Sequence, residues 1–62
     1  MNSTDTVSVL ETRIEMLESE RELLVDDQAR AKSPIRQLLL NAKIKSVNAE
    51  IDFLIEKKKE FE

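Results

Sequence analysis

Two stretches of the chain place mostly apolar residues at alternating spacings of three and four. The first stretch runs from Val7 to Leu24 and the second from Gln37 to Phe61. This spacing puts the residues at positions a and d of a heptad, on one face of a helix. We refer to these positions as the inner seam, which comprises Val7, Leu10, Ile14, Leu17, Arg21 and Leu24, followed by Gln37, Leu40, Ile44, Val47, Ile51, Leu54, Lys58 and Phe61.

A polar segment separates the two stretches and changes the heptad frame. Residues 26–34 contain no large apolar side chain, and the second frame is offset from the first by two residues. One continuous coiled coil would keep a single frame. Ser33 followed by Pro34 is typical of a helix start, because the Ser oxygen can accept from a free backbone amide and proline has no amide to lose there.

We therefore predict an all-α fold, a single antiparallel helical hairpin. Helix 1 is expected at about residues 5–30, the turn at about 31–33 and helix 2 at about 34–61. The alternative is one long helix that is kinked at Pro34. The first helix has two candidate starts, after Thr4 or after Ser8, and Glu11 gives Ser8 the spacing of a capping box. No glycine marks where the first helix ends.

Both predicted helices carry more large apolar residues than the inner seam uses. Val9, Met16 and Leu23 repeat every seven residues at position c, and Leu39 and Phe53 hold position c in the second helix. Position c lies about 100° around the helix from position d. One face can therefore pack within the chain while another face meets a second chain. We expect a homo-oligomer, with a dimer favoured, in which two hairpins form a four-helix bundle.

The composition agrees with an all-helical chain and removes most catalytic chemistry. The 62 residues include one Pro and no Gly, Cys, His, Trp or Tyr. A nucleophile–base pair would need Ser with Lys, and no catalytic spacing of these residues is recognisable. A Gly-rich phosphate loop and a His-containing metal motif are excluded. We expect no enzymatic activity, no cofactor and no metal. Apolar runs are too short to span a bilayer and no signal segment is apparent, so we expect a cytoplasmic protein.

Charge is distributed unevenly along the chain. Residues 1–31 contain eight acids and three bases, net −5, whereas residues 32–62 contain five acids and seven bases, net +2. In an antiparallel hairpin, Glu11, Glu15 and Glu18 are expected near the lysines at positions 57–59. Such surface pairs contribute only about 0–1 kcal/mol each, so their expected role is to favour antiparallel over parallel pairing.

The predicted turn is basic. No acid occurs between Gln28 and Ala49, and five bases do: Arg30, Lys32, Arg36, Lys43 and Lys45. This cluster is a candidate docking site for an acidic protein or a phosphate backbone. The alternative is a solvated tip whose charge is balanced by acids near the end of the first helix, which are Glu20, Glu22, Asp26 and Asp27.

One short motif has a possible counterpart in a known family. Residues 48–55, Asn-Ala-Glu-Ile-Asp-Phe-Leu-Ile, resemble the Ser-Gln-Glu-Leu-Asp-x-Leu-Ile signature of the sporulation-response phosphatases, which are also small helical hairpins. The resemblance implies that Asp52 is a functional acid, although Asn48 and Ala49 replace the Ser and Gln of the signature. The alternative, which we adopt, is an ordinary amphipathic helix in which Ile51 and Leu54 belong to the seam.

The sequence thus favours a small, non-enzymatic helical module that acts as a regulator, inhibitor or adaptor by binding a partner protein. By analogy, such chains are common among phage and plasmid regulators. Two alternatives remain open: a ROP-like dimer that binds nucleic acid through the basic turn, and a structural coiled-coil component of a larger assembly. No membrane partner is expected. The candidate contact residues are Val9, Met16, Leu23, Leu39 and Phe53 on the apolar stripes and Arg30, Lys32, Arg36, Lys43 and Lys45 at the turn.

Overall fold

The chain folds as an antiparallel hairpin of two long helices. A computed structural model describes residues 3–62, with side chains described from Asp5 onward. Helix α1 spans Ser3–Arg30 and helix α2 spans Pro34–Phe61. The helices pack against each other in a body of 47 × 14 × 13 Å. The predicted all-α hairpin is confirmed, and the single kinked helix is excluded. The helices were expected at about residues 5–30 and 34–61, so the observed bounds differ only at the start of α1.

The inner seam forms the contact between the helices. All its positions are buried or half-buried except Gln37 and Phe61. Leu17 and Ile51 are the most deeply buried, with 2% and 3% of their surface exposed. The core is small, and its buried members among the described side chains are Ile14, Leu17, Leu40, Val47 and Ile51. Neither described helix contains an apolar stretch that could cross a membrane.

The turn closes without any residue in the left-handed region, which explains how a chain without glycine can form it. Residues 5–62 contain no positive φ angle. The amide of Ala31 still donates to the carbonyls of Asp27 and Gln28, at 3.0 and 3.2 Å. Gln37 Nε2 then donates to the Ala31 carbonyl at 2.6 Å, so this seam residue satisfies a backbone acceptor at the turn instead of packing in the core.

Ser33 begins the second helix as predicted. Its backbone is extended, with φ −83° and ψ 127°, and its Oγ accepts from the Arg36 amide at 3.4 Å. Pro34 follows at the first helical position.

The expectation for the start of the first helix needs a correction. A start after Ser8 is wrong, because Ser8 lies inside α1 and its carbonyl accepts from Thr12 Oγ1 at 3.0 Å. Continuous apolar spacing from Val7 onward carries the helix through this capping-box pattern. The alternative start after Thr4 is two residues late, because α1 begins at Ser3.

Candidate protein-binding surfaces

The apolar residues at position c lie on the outside of the hairpin. Val9 and Met16 are each 59% exposed, and Leu23 is 67% exposed. Leu39 and Phe53 of α2 are exposed to a similar degree. None of the five contributes to the core of the hairpin, so folding of a single chain does not explain their regular spacing.

Each c stripe belongs to a longer uncharged seam that the sequence analysis missed. Between the c residues, position f holds small or apolar residues, and every position in both seams is exposed. We define the outer face of α1 as Val9, Thr12, Met16, Ser19 and Leu23. We define the outer face of α2 as Ile35, Leu39, Ala42, Ser46, Ala49 and Phe53. Both faces repeat the alternating three- and four-residue spacing of the inner seam. This spacing is typical of a surface that meets another helix.

The outer faces lie on opposite edges of the hairpin. At 3.6 residues per turn, the middle of positions c and f is roughly 150° around the helix from the middle of positions a and d. Because the inner seam of each helix faces the other helix, each outer face points away from it. A partner helix can therefore lie beside α1 or beside α2 without disturbing the hairpin.

Polar contacts between the helices fix how they align. Arg13 Nε and Nη2 both donate to Glu50 Oε2, at 3.2 and 3.1 Å. Arg21 Nη1 of the seam donates to Asn48 Oδ1, beside the seam, at 2.9 Å in a partly buried contact. Neither pair was predicted from the sequence. In this antiparallel pair, a step of one heptad toward the turn leads from Arg13 to Glu20 on α1 and from Glu50 to Lys43 on α2. Glu20 therefore lies level with Lys43.

A charged row separates the inner seam from the outer faces on one surface of the hairpin. Arg13, Glu20, Lys43 and Glu50 line a shallow groove with Ser46, and Leu17, Leu24 and Val47 also border it. Arg13 and Glu50 keep nearly half of their side-chain surface in solvent, at 48% and 44%. Any assembly that encloses this groove must desolvate these charges.

The expected cross-helix pairing of the first acids with the last lysines is seen at one position. Lys58 lies 3.8 Å from Glu11. Lys57 and Lys59 instead pair within α2, with Glu60 at 3.6 Å and Glu56 at 3.3 Å. Ion pairs at spacings of three or four residues need no cross-helix alignment, so local acids compete with those of α1. Lys57 also lies over the ring of Phe53, with its Nζ 5.5 Å from the centroid.

At the turn, the structure leaves most of the basic cluster exposed. Arg30 pairs with Asp26 at 2.6 Å, so one of the five bases is neutralised by an acid one helical turn away. Among the described side chains, the other four bases form no ion pair within 4.0 Å. They are all exposed: Lys32, Arg36, Lys43 and Lys45. The cluster thus remains an accessible positive surface, although Glu20 lies level with Lys43.

Residues 48–55, which resemble the phosphatase signature, form part of an ordinary amphipathic helix. Ile51 is buried, Leu54 is half-buried and Asp52 is exposed. Within the described part of the chain, no group of three or more potential metal-ligating residues comes together. Comparisons with protein-family models, curated proteins and solved structures found no match to this chain.

Proposed function

We propose that this protein is a non-enzymatic helical binding module that acts as a regulator, inhibitor or adaptor through contact with a partner protein. The observation that carries the proposal is the pair of outer faces, two exposed and uncharged helical seams on a hairpin whose core they do not serve. Contiguous exposed apolar surface on a small protein is a mark of protein–protein interaction.

The small core supports self-association as part of this function. With five buried residues among the described side chains, the hairpin has little apolar burial to offset the entropy of ordering two long helices. Covering the outer faces would add apolar burial without new elements. We therefore propose a homo-oligomer, with a dimer of two hairpins, and hence four adjacent helices, as the smallest assembly.

A capture experiment with matched variants tests partner binding. The immobilised chain is exposed to lysate from its native host, and bound proteins are identified by mass spectrometry. The double variant Met16→Ser/Leu39→Ser removes one large residue from each outer face. Its matched control, Glu18→Ser/Asn41→Ser, changes exposed residues two positions away on the same helices.

The wild type and the control are expected to retain a common set of proteins that the outer-face variant loses. All three should have the same helicity by circular dichroism. Retention of the same proteins by the outer-face variant, or no specific capture by the wild type, would contradict the proposal.

The basic turn favours a second candidate, binding of nucleic acid by an oligomer. The supporting observation is the exposed cluster Lys32, Arg36, Lys43 and Lys45, which lacks ion pairs among the described side chains. Such binding should weaken steeply as salt rises, because it releases counterions from the nucleic acid and this release becomes less favourable in concentrated salt. A fluorescence titration with structured RNA should detect it, and Lys32→Gln/Arg36→Gln should reduce both affinity and salt dependence. An apolar protein contact through the outer faces would resist salt.

A further inference from the structure

The two outer faces differ in the charges beside them. Acids flank the outer face of α1 at positions b and g, namely Glu15, Glu20, Glu22 and Asp27, and the one base in those rows is Arg13. Bases predominate beside the outer face of α2, namely Arg36, Lys43, Lys45, Lys57 and Lys59, with Glu50 and Asp52 as the acids. The α2 face is therefore suited to an acid-flanked amphipathic helix, and α1 of another copy is such a helix.

The two faces are also complementary in shape. The middle of the α2 face consists of small residues, Ala42, Ser46 and Ala49, with larger residues at both ends. The middle of the α1 face carries Met16, a long and flexible side chain. Because large side chains pack best into spaces left by small ones, Met16 can insert where Ser46 leaves room. The Arg13–Glu50 contact places Met16 and Ser46 at nearly the same level along the hairpin.

Charge also selects the alignment of two neighbouring copies. If two hairpins lie side by side with both turns at the same end, α1 runs antiparallel to the neighbouring α2 and equal levels meet. Arg13 then faces Glu50 of the second copy, and Glu20 faces its Lys43. A shift by one heptad in one direction would instead place Glu20 opposite Glu50 and Arg13 opposite Lys57, two like-charge contacts. A shift in the other direction would place Arg13 opposite Lys43, which is again a like-charge contact. Like charges across a helix interface are destabilising.

A closed four-helix bundle fits the described side chains less well. In such a bundle, the inner seam and position c of each helix would both face the centre of the assembly. Position g lies between them on the helix surface and would face the centre as well. The charged groove of Arg13, Glu20, Lys43 and Glu50 would then be enclosed. Burying ion pairs costs desolvation energy that their attraction often fails to recover. A side-by-side layer leaves the groove open to water.

We infer that the outer face of α2 binds the outer face of α1 from a second copy of this chain, antiparallel and side by side. This inference rests on the proposed function, because it names an occupant for the same faces. The interface is heterologous, so the second copy still presents a free face at its far edge. Association is therefore open-ended, and masses above that of a dimer are expected as concentration rises.

Two variants that each block one face provide the test. Met16→Lys adds a base to the α1 face, where it would meet the basic flanks of α2. Leu39→Lys/Ser46→Lys blocks the α2 face by size, because Ser46→Lys fills the space that Met16 would enter and Leu39→Lys replaces an apolar contact. Because both blocks carry the same sign, the two blocked faces cannot pair with each other. All three substituted residues are exposed, so each hairpin should remain folded. Asn41→Lys is a control away from both faces and matches the single charge that Met16→Lys adds.

Sedimentation equilibrium over a wide concentration range is the measurement. The wild type and Asn41→Lys should form a series of masses beyond the dimer. Each blocked variant alone should associate at least about tenfold more weakly than the wild type. It should therefore be monomeric where the wild type is associated. An equimolar mixture of the two blocked variants should form a 1:1 dimer and nothing larger, since only one pair of intact faces remains.

Each other outcome overturns the inference. A monomeric wild type excludes self-association through these faces. Dimerisation of Met16→Lys alone indicates pairing of α2 with α2, and dimerisation of Leu39→Lys/Ser46→Lys alone indicates pairing of α1 with α1. A mixture that stays monomeric excludes pairing of α1 with α2. If the wild type is monomeric yet captures a host protein through its outer faces, the inference fails while the proposed function stands. If it assembles as expected but outer-face variants capture the same proteins, the proposed function fails instead.

Discussion

The inner seam and the outer faces share one spacing but have opposite environments. Both alternate intervals of three and four residues along the same two helices. The inner seam is mostly buried or half-buried and yet contains Arg21 and Lys58, whereas the outer faces are exposed and contain no charged residue. Absence of charge therefore does not identify which face of these helices is buried within the chain.

Side-chain size separates the two regions better than polarity does. The middle of the inner seam holds Leu17, Val47 and Ile51, which fill the space between the helices. The middle of the α2 outer face holds Ala42, Ser46 and Ala49, which would leave the same space empty. Arg21 is tolerated in the seam because Asn48 accepts its hydrogen bond at 2.9 Å. The more voluminous seam thus closes the hairpin, and the smaller one is left for a different contact.

The largest difference in stability is expected between variants of two adjacent residues, one in the inner seam and one on an outer face. Leu17→Ala is expected to lower the free energy of unfolding by about 2–5 kcal/mol, as removal of buried aliphatic groups does. Met16→Ala, one residue away but 59% exposed, should change the stability of the isolated hairpin by less than about 0.5 kcal/mol. Urea denaturation at low protein concentration measures both.

Ile51→Ala should behave like Leu17→Ala, because Ile51 is 3% exposed. Ser46→Ala should behave like Met16→Ala. Equal losses from the two pairs would mean that the inner seam is not what holds the hairpin together.

An intermediate effect is expected at the turn, which joins the two helices. Ser33→Ala removes the oxygen that accepts from the Arg36 amide and should cost about 1 kcal/mol. Ser46→Ala is the matched control, because Ser46 is an exposed serine inside the helix that Ser33 caps. Thermal melting followed by circular dichroism would detect the difference. A Ser33→Ala melting temperature equal to that of the control would show that Pro34 and the Gln37–Ala31 contact suffice to start α2.

The architecture follows from the sequence because one physical signal dominates it. The seam spacing, its change of frame and Ser33-Pro34 together determine two helices and the place where they separate. The helix start at Ser3 was less predictable, since Ser8 offers a cap that the apolar spacing overrides. Cross-helix partners were harder still, because Arg13–Glu50 and Arg21–Asn48 depend on an axial alignment that no local pattern encodes.

The candidate surfaces were predicted in part. The large residues at position c stand out by hydrophobicity, whereas Thr12, Ser19, Ala42 and Ala49 are too small to attract notice. Their common property is the lack of charge at seam spacing, and a search for uncharged rather than apolar positions would have found them. The basic turn was visible as a run without acids, but the Asp26–Arg30 pair crosses the edge of that run.

A small effect, which best separates an open layer from a closed bundle, is expected at Glu50. The Arg13–Glu50 pair is nearly half exposed on each side, so Glu50→Gln should lower the free energy of unfolding by less than about 1 kcal/mol. The loss should shrink further as salt rises, because ions screen exposed charges over about 10 Å at 0.1 M. Asp52→Asn, a neighbouring exposed carboxylate without an ion pair among the described side chains, is the control.

The comparison should be made by urea denaturation at low and high protein concentration. In a side-by-side layer the effect stays small at both concentrations, because the groove remains in water. In a closed bundle the pair becomes buried on assembly, and removal of one partner would then change stability by several kcal/mol in a salt-insensitive way. A large effect that appears only at high protein concentration would therefore refute the open arrangement, while leaving the hairpin and its inner seam unaffected.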